Sequence, residues 1–447
     1  MNSTENVLLI DFGSTYTKVI AVETSEPKLL GNASAYTTIK TDVNEGLENA
    51  LKELSKQTGI RKFHKRIACS SAAGGLRMVT CGLVPDLTAK AATMASMGAG
   101  AKVVGLYSYE LTEDDIKEIT DTSPDILLLT GGTDGGNKKT ILHNAKMLAD
   151  AFGDFPIIVA GNRNSSREIM EILKNRRTYQ CENVMPAIGT LNIEPARQLI
   201  REIFLERIVE AKGLSEVVLM PTPAAVLVAT QLLAKELGDM LVIDVGGATT
   251  DIYSISDGSP QNAGVIYKGL PEPYTKRTVE GDIGMRYSAS GIIEAAGLKR
   301  VADLAKSSEE TVSEHVKHLT KHTETLPKTN EEKNLDFSLA ASAIETATIR
   351  HAGSIEEVYT SSGRALVQSG KDLTNIKTIV MTGGALLNSK RQSELVEHAL
   401  YNDMLPQSLR PKKAKLLIDK HYILAAMGLL SSHAPKAAIE IMKSNII

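Results

Sequence analysis

Tryptophan is absent from this 447-residue chain, aromatic residues make up 4% of it, and cysteine occurs only at Cys69, Cys81 and Cys181. So few aromatics leave little surface for stacking bases. Three scattered cysteines supply neither a disulfide framework nor a cysteine-rich metal or iron–sulfur site. No run of about 18 apolar residues occurs, so no transmembrane helix is expected. The start, MNSTENVLLIDFG, has no basic region and no long apolar segment before its first strand, which argues against a signal peptide and for a cytoplasmic protein. A net charge of −3 gives no general attraction for nucleic acid or an anionic membrane, and neither is expected as a partner. Function must therefore come from local sites.

What is there is a device used twice. Residues 241–254, LVIDVGGATTDIYS, and residues 8–22, LLIDFGSTYTKVIAV, superimpose at a constant offset of 233. Asp11 falls on Asp244, Gly13 on Gly246, Thr17 on Thr250 and Lys18 on Asp251. In each copy an apolar run ends in Asp-x-Gly and re-enters a β-prone run. That pattern reads as a hairpin whose turn exposes backbone amides, a place to cradle an anion.

Triphosphate oxygens need N–H and hydroxyl donors, while Mg²⁺ keeps several waters that carboxylates hold in place. On this chemistry Asp11 and Asp244 are the expected catalytic and metal-holding carboxylates, binding Mg²⁺ through water. Gly13, Ser14, Thr15, Thr17 and Lys18 from the first copy are expected to bind nucleotide, with Gly246, Gly247, Thr249 and Thr250 from the second. Thr382-Gly383-Gly384-Ala385, after an apolar strand and before a helix, adds Gly383 and Gly384, where base and ribose could lie on the backbone.

The rest of the chain reads as α/β. A third strand (28–39), a helix (44–58) and a strand (66–70) follow the first hairpin. From about residue 76 strands and helices alternate regularly, which implies a parallel sheet with right-handed crossovers closing near Pro186. A long helix (194–212) leads to a strand at 217–220, a further helix and the second hairpin. The segment 278–284, TVEGDIG, reads as opening a helix through Ala295, and 301–370 as helical and polar. His315, His318 and His322 share one helical face, but nearby lysines make a solvated face the better reading than a metal site.

With these motifs in place, the chain resembles the actin, sugar kinase and heat-shock chaperone ATPase superfamily. Residues 11–18 look like its first phosphate loop, 244–251 its second and 382–385 its adenosine loop. Thr222-Pro223-Ala224-Ala225 and Ala425-Ala426-Met427-Gly428 resemble its two connecting helices. Within the superfamily, LLIDFGSTYTK, SSAAGGLRM, LLLTGGTDGGN, PIIVAGN and VEGDIGMR are similar to the MutL (GlmL) family, accessory proteins of adenosylcobalamin-dependent glutamate mutase.

The resemblance implies a two-lobed actin-like, ribonuclease H-like ATPase fold with an inserted flavodoxin-like domain. Its first half would be 1–75 and 187–236, the insert 76–186, the second half 237–300 and 371–447, and a mainly helical subdomain 301–370. It implies Mg-ATP bound between the halves, mutase subunits as partners and a slow ATP-driven reactivating role. Chaperones of the superfamily carry a water-positioning Glu where this chain has Thr222, which implies slow hydrolysis; Glu280 and Asp282 are left as alternatives. The insert resembles a mutase's cobalamin domain, yet no histidine lies at 82–86, so no direct cobalamin ligation is expected. The competing reading is a small-molecule kinase of the same fold.

Overall fold

A computed structural model describes residues 5–13, 16–37, 43–71, 76–212, 218–361 and 363–446. Ser14 and Thr15 of the first phosphate motif lie outside the described residues. The chain forms two compact units, one of Met1–Val228, Gly269–Pro271 and Ala425–Ala438, the other of Ala229–Lys268, Glu272–Leu424 and Ile439–Ile447.

The first unit begins with the antiparallel meander β1 (Asn6–Phe12), β2 (Tyr16–Glu23) and β3 (Lys28–Tyr36). β1 is apolar nearly throughout and buried on both faces. One of those faces, with Leu8, Ile10 and Phe12, packs with Val19 and Ala21 of β2 against Ala50 and Leu54 of the helix Val43–Thr58. That helix ends where Gly59 turns to positive φ, a conformation with no penalty for glycine. β4 (Lys65–Ser70) runs parallel to β1.

The chain then builds a separate five-stranded parallel sheet from β5 (Arg77–Gly82), β6 (Lys102–Ser108), β7 (Ile126–Leu129), β8 (Ile157–Val159) and β9 (Thr178–Gln180). Its order is β6-β5-β7-β8-β9, that is 2-1-3-4-5, an order used by doubly wound sheets. Helices cover both faces, so ILLL and IIV have no polar side. Ile126, Leu128 and Ile158 point into one core, and Leu127, Leu129 and Ile157 into the other. β10 (Val218–Pro221) returns to pair with β4, giving the first sheet the order β10-β4-β1-β2-β3. Small residues let two helices cross in this unit: a Cβ on Gly428 would lie 1.9 Å from the carbonyl oxygen of Ala225.

The second unit repeats the pattern. β11 (Met240–Val245) pairs antiparallel with β12 (Thr250–Ile255), and β13 (Val265–Lys268) leaves for a smaller sheet. β14 (Thr275–Glu280) then pairs antiparallel with β12. β15 (Ser354–Thr360) and β16 (Gly363–Ser369) form a hairpin joined to β13. β17 (Thr378–Thr382) and β18 (Lys415–Ile418) complete the main sheet in parallel. Its order, β14-β12-β11-β17-β18, matches the first sheet strand for strand in sequence and direction. Two such ribonuclease H-like sheets are the architecture of the actin-like ATPases.

Two element assignments are corrected. Residues 278–280 end strand β14 rather than opening a helix, and the helix that follows is Ala289–Ala296. Val279 alternates with Thr278 and Glu280 at the strand period of two, and β14 gains hydrogen bonds along β12 that an isolated helical turn could not match. Helices occupy 298–305, 309–321 and 330–351, but 354–369 is the β15–β16 hairpin, in which Val358 and Leu366 fit a strand surface. The last helix is Pro435–Asn445, entered at a proline that a first helical position tolerates.

Candidate functional site

The two hairpins have the same register. Asp11 stands opposite Lys18 and Phe12 opposite Thr17; Asp244 stands opposite Asp251 and Val245 opposite Thr250. Each turn closes alike. Gly13 N–H donates to the Tyr16 carbonyl at 3.1 Å, and Gly246 N–H to the Thr249 carbonyl at 2.9 Å. A Cβ on Gly13 would sit 2.6 Å from the Tyr16 oxygen, so the first turn requires glycine.

In the first hairpin Asp11 is the hub. Its Oδ1 accepts from Thr222 Oγ1 at 2.6 Å and from Cys69 Sγ at 3.5 Å, and its Oδ2 lies 3.8 Å from Lys18 Nζ. Burial, then the Asp11 charge, pushes the Cys69 thiol well above its ordinary pKa, so it remains a neutral donor. Cys69 reaches Asp11 because β4 runs parallel to β1 with these two residues in register. Among the described residues Oδ2 has Lys18 beside it, beyond hydrogen-bond distance, so that a metal-bound water would fit its lone pairs. The donor set therefore fits outer-sphere Mg²⁺. Lys18 is about a third exposed.

In the second hairpin the Lys18 position is an acid. Asp244 and Asp251 face one another across strands, a like-charge pair that would be destabilising alone. Arg277 of β14 answers it: its Nε and Nη2 lie 2.9 and 2.7 Å from Asp251 Oδ1, with both side chains buried. Burial opposes the charge on Arg277, but Asp251 and Tyr253 beside it hold its pKa above the ordinary value. Asp251 Oδ2 accepts from Thr249 Oγ1 at 3.0 Å. Asp244 is half-buried at the strand end.

The segment VEGDIGMR clamps this second loop. The Met285 N–H donates to the Gly246 carbonyl, and those of Arg286 and Tyr287 to the Gly247 carbonyl, at 2.8–3.0 Å. Gly284 lies against the loop, where a Cβ would come 2.3 Å from the Ala248 carbonyl carbon. Glu280 is opposite Thr250 and pairs with Arg350. Burial raises its pKa, with the arginine pulling the other way.

Not every expected donor faces out. Thr17 is fully buried with its hydroxyl 3.1 Å from that of Thr37, and Thr250 is fully buried with its hydroxyl donating to the Ile283 carbonyl at 3.0 Å. Both hydroxyls hold their hairpins in place. Gly383, at φ 99°, lies against β11, where a Cβ would be 2.4 Å from the Val245 oxygen. Gly384 lies beside the Tyr422 hydroxyl. Asp419, fully buried, accepts from Thr382 Oγ1 at 3.2 Å and from the Ile423 and Leu424 N–H groups, fixing the end of β17 before the Gly-Gly turn. Nothing in the sequence pattern singled out Asp419 or Arg277. Of the three histidines, His315 pairs with Asp336, and His318 packs on His322.

Beyond β5, Leu83 and Val84 N–H groups donate to Thr88 Oγ1 at 2.7 and 3.2 Å, closing the loop at 82–86 onto its own helix. Asn162 and Asn183 hold the 130–137 loop. Asn162 accepts from Gly135 N–H and donates to the Gly136 and Asn137 carbonyls, while Asn183 donates to Gly132 and Asp134.

The family described as MutL protein matches residues 7–446. The chain is 46% identical to "Protein MutL" of Clostridium tetanomorphum over 98% of this chain and 99% of that one. Among solved structures, nucleotide-free acetone carboxylase aligns with 95% of this chain and 70% of its own at 12% identity and a TM-score of 0.42. Component A of the Acidaminococcus fermentans (R)-2-hydroxyglutaryl-CoA dehydratase aligns with 98% of each chain at 12% identity and a TM-score of 0.32. At such scores the sheet orders, not these likenesses, carry the fold.

Proposed function

The chain belongs to the MutL protein family, and from that premise we propose that it is a cytoplasmic ATP-binding accessory protein that restores an adenosylcobalamin-dependent mutase of the glutamate mutase kind. The observation that supports nucleotide binding is the repeated hairpin, with an aspartate at the same register position and a glycine-closed turn in each copy. Asp11 and Asp244 would hold metal-bound waters, Lys18 would meet phosphate, and Gly383 and Gly384 would border the adenosine. Bound Mg²⁺ would offset phosphate charge.

Thr222 occupies the place of a water-positioning carboxylate and its hydroxyl is spent on Asp11. Hydrolysis should therefore be slow, as suits a switch rather than a kinase. Residues 76–186 would act as a module that takes the place of a mutase's cobalamin domain without supplying a cobalt ligand. Nucleotide can drive such an exchange only if it alters affinity for the mutase, because equal affinity in both states shifts nothing.

The test is to inactivate glutamate mutase holoenzyme by turnover, then add this protein with ATP, ADP or neither and fresh adenosylcobalamin. Activity should return with ATP and cofactor together, and affinity for the mutase should differ between nucleotide states. No rescue, with identical affinities, overturns the reading.

A further inference from the structure

The helix Val43–Thr58 and the segment leading into β4 enclose a shallow concavity of about 500 Å³ that uses none of the hairpin residues. Its rim carries Lys52, Lys56, Arg61 and Arg66 against the single acid Glu48. Its floor is apolar, from Leu51, Ile60 and Phe63. Lys52 and Lys56 have glutamate neighbours on the helix, Glu48 at 4.0 Å and Glu53 at 3.3 Å. Arg61 and Arg66 have no ion-pair partner among the described residues, and both are exposed. They sit in Arg-Lys-Phe-His-Lys-Arg, residues 61–66, a concentration of positive charge in a chain whose net charge is −3.

Leu51 and Phe63 of the floor also border the core of the first unit, but the basic rim is not part of that packing. The helix buries Ala50 and Leu54 toward the sheet, and the basic side chains face away from that core. Clustered like charges raise the local potential and attract an oppositely charged partner. The apolar floor discriminates among anions: a phosphate backbone has nothing to place on Leu51 and Ile60, whereas a polypeptide can set an aliphatic side chain there between acidic ones. We propose that this concavity is a docking site for an acidic amphipathic segment of a partner protein, its carboxylates on Arg61, Arg66, Lys52 and Lys56 and an aliphatic residue on the floor. The site is open and shallow, as suits a peptide rather than an enclosed small molecule.

The test uses the full-length chain and a fluorescein-labelled amphipathic peptide of glutamate and leucine, read by anisotropy. A second peptide has each leucine replaced by serine, and a duplex oligonucleotide is the third probe. The Glu/Leu peptide should bind, more weakly as salt rises, and the Arg61→Glu/Arg66→Glu double variant should weaken it by about tenfold or more, the range of two charge-assisted contacts. The serine peptide should bind several-fold more weakly. A melting curve checks the fold of that variant, and Lys52→Glu/Lys56→Glu, on an exposed helix face, repeats the measurement should it melt early. No binding, binding unchanged by both charge reversals, equal binding of the serine peptide, or tighter binding of the duplex through the same residues overturns the proposal.

Discussion

The first hairpin neutralises itself and the second does not. Asp11 has Lys18 across the strand, at a partly exposed contact, while Asp244 has Asp251, and the neutralising cation must come from Arg277 on the next strand. One backbone template thus supports two electrostatic solutions. In the first, the cation is about a third exposed. In the second, it is buried and committed to holding an acid pair. The first hairpin keeps its cation partly exposed, and the second buries its cation against an acid.

The largest expected effect follows from that division. Arg277→Met leaves Asp251 buried without its partner and should cost the second unit about 3–5 kcal/mol. Lys18→Met removes a partly exposed pair and should change stability by only about 0.5 kcal/mol, yet weaken Mg-ATP binding. Denaturant melts of both variants, with nucleotide titrations, check this. Equal destabilisation by the two would erase the distinction.

A second effect tests what the copies share. If each aspartate holds metal-bound water, Asp11→Ala and Asp244→Ala should each lower Mg-ATP affinity by roughly 2 kcal/mol, about thirtyfold, with little change in the absence of Mg²⁺. Calorimetry that finds only one of the variants impaired would make the other hairpin a structural relic.

The shared part was legible because a constant offset preserves register. Once Asp11 falls on Asp244, the cross-strand pairs and the turn glycines follow. The hydroxyls were misjudged by face. Thr17 alternates with Val19 and Ala21, and Thr250 with Ile252, all on the core side, so the period of two already turned those side chains inward. What could not be read from spacing was the lateral partner. Arg277 reaches Asp251, and Cys69 and Thr222 reach Asp11, only because of sheet neighbours far off in sequence. The reading of 278–284 as a helix start failed for the same reason, since pairing along β12 outweighs any local preference. Tertiary contacts decide such short segments.

A smaller effect concerns Thr222. Its hydroxyl donates to Asp11 Oδ1 at 2.6 Å, and on the proposed reading Oδ2 would then meet the metal-bound water. Thr222→Val should let the carboxylate turn and cost about 1.5 kcal/mol of Mg-ATP affinity, roughly tenfold, without altering the Asp244 side. Unchanged affinity would mean that Cys69 alone orients Asp11.

The smallest effect separates the hairpins by pH. His351, fully buried at the end of the helix Asn330–His351, joins β12 to β14: its Nε2 lies 2.8 Å from Ser254 Oγ and its Nδ1 2.8 Å from Thr278 Oγ1. Burial first, then the charges of Lys276 and Lys371, hold its pKa well below the ordinary 6.5. In the unfolded chain the imidazole takes a proton near that ordinary value, and in the folded chain it does not until the pH is lower. The unfolded state therefore binds more protons in this window. Stability is fully present above pH 6.5 and falls as the pH drops below it, by about 1 kcal/mol at pH 5.5. Among the described residues of the first unit no histidine is fully buried, so its hairpin should not share the loss. Hydrogen exchange at pH 7 and 5.5 should show β12 and β14 opening more readily in acid while β1 and β2 hold, after correction for intrinsic rates. His351→Gln, which keeps a donor and an acceptor but cannot titrate, should flatten the dependence. Acid opening of both hairpins alike, or a slope that survives the substitution, would place the sensitivity elsewhere and leave His351 a neutral strut.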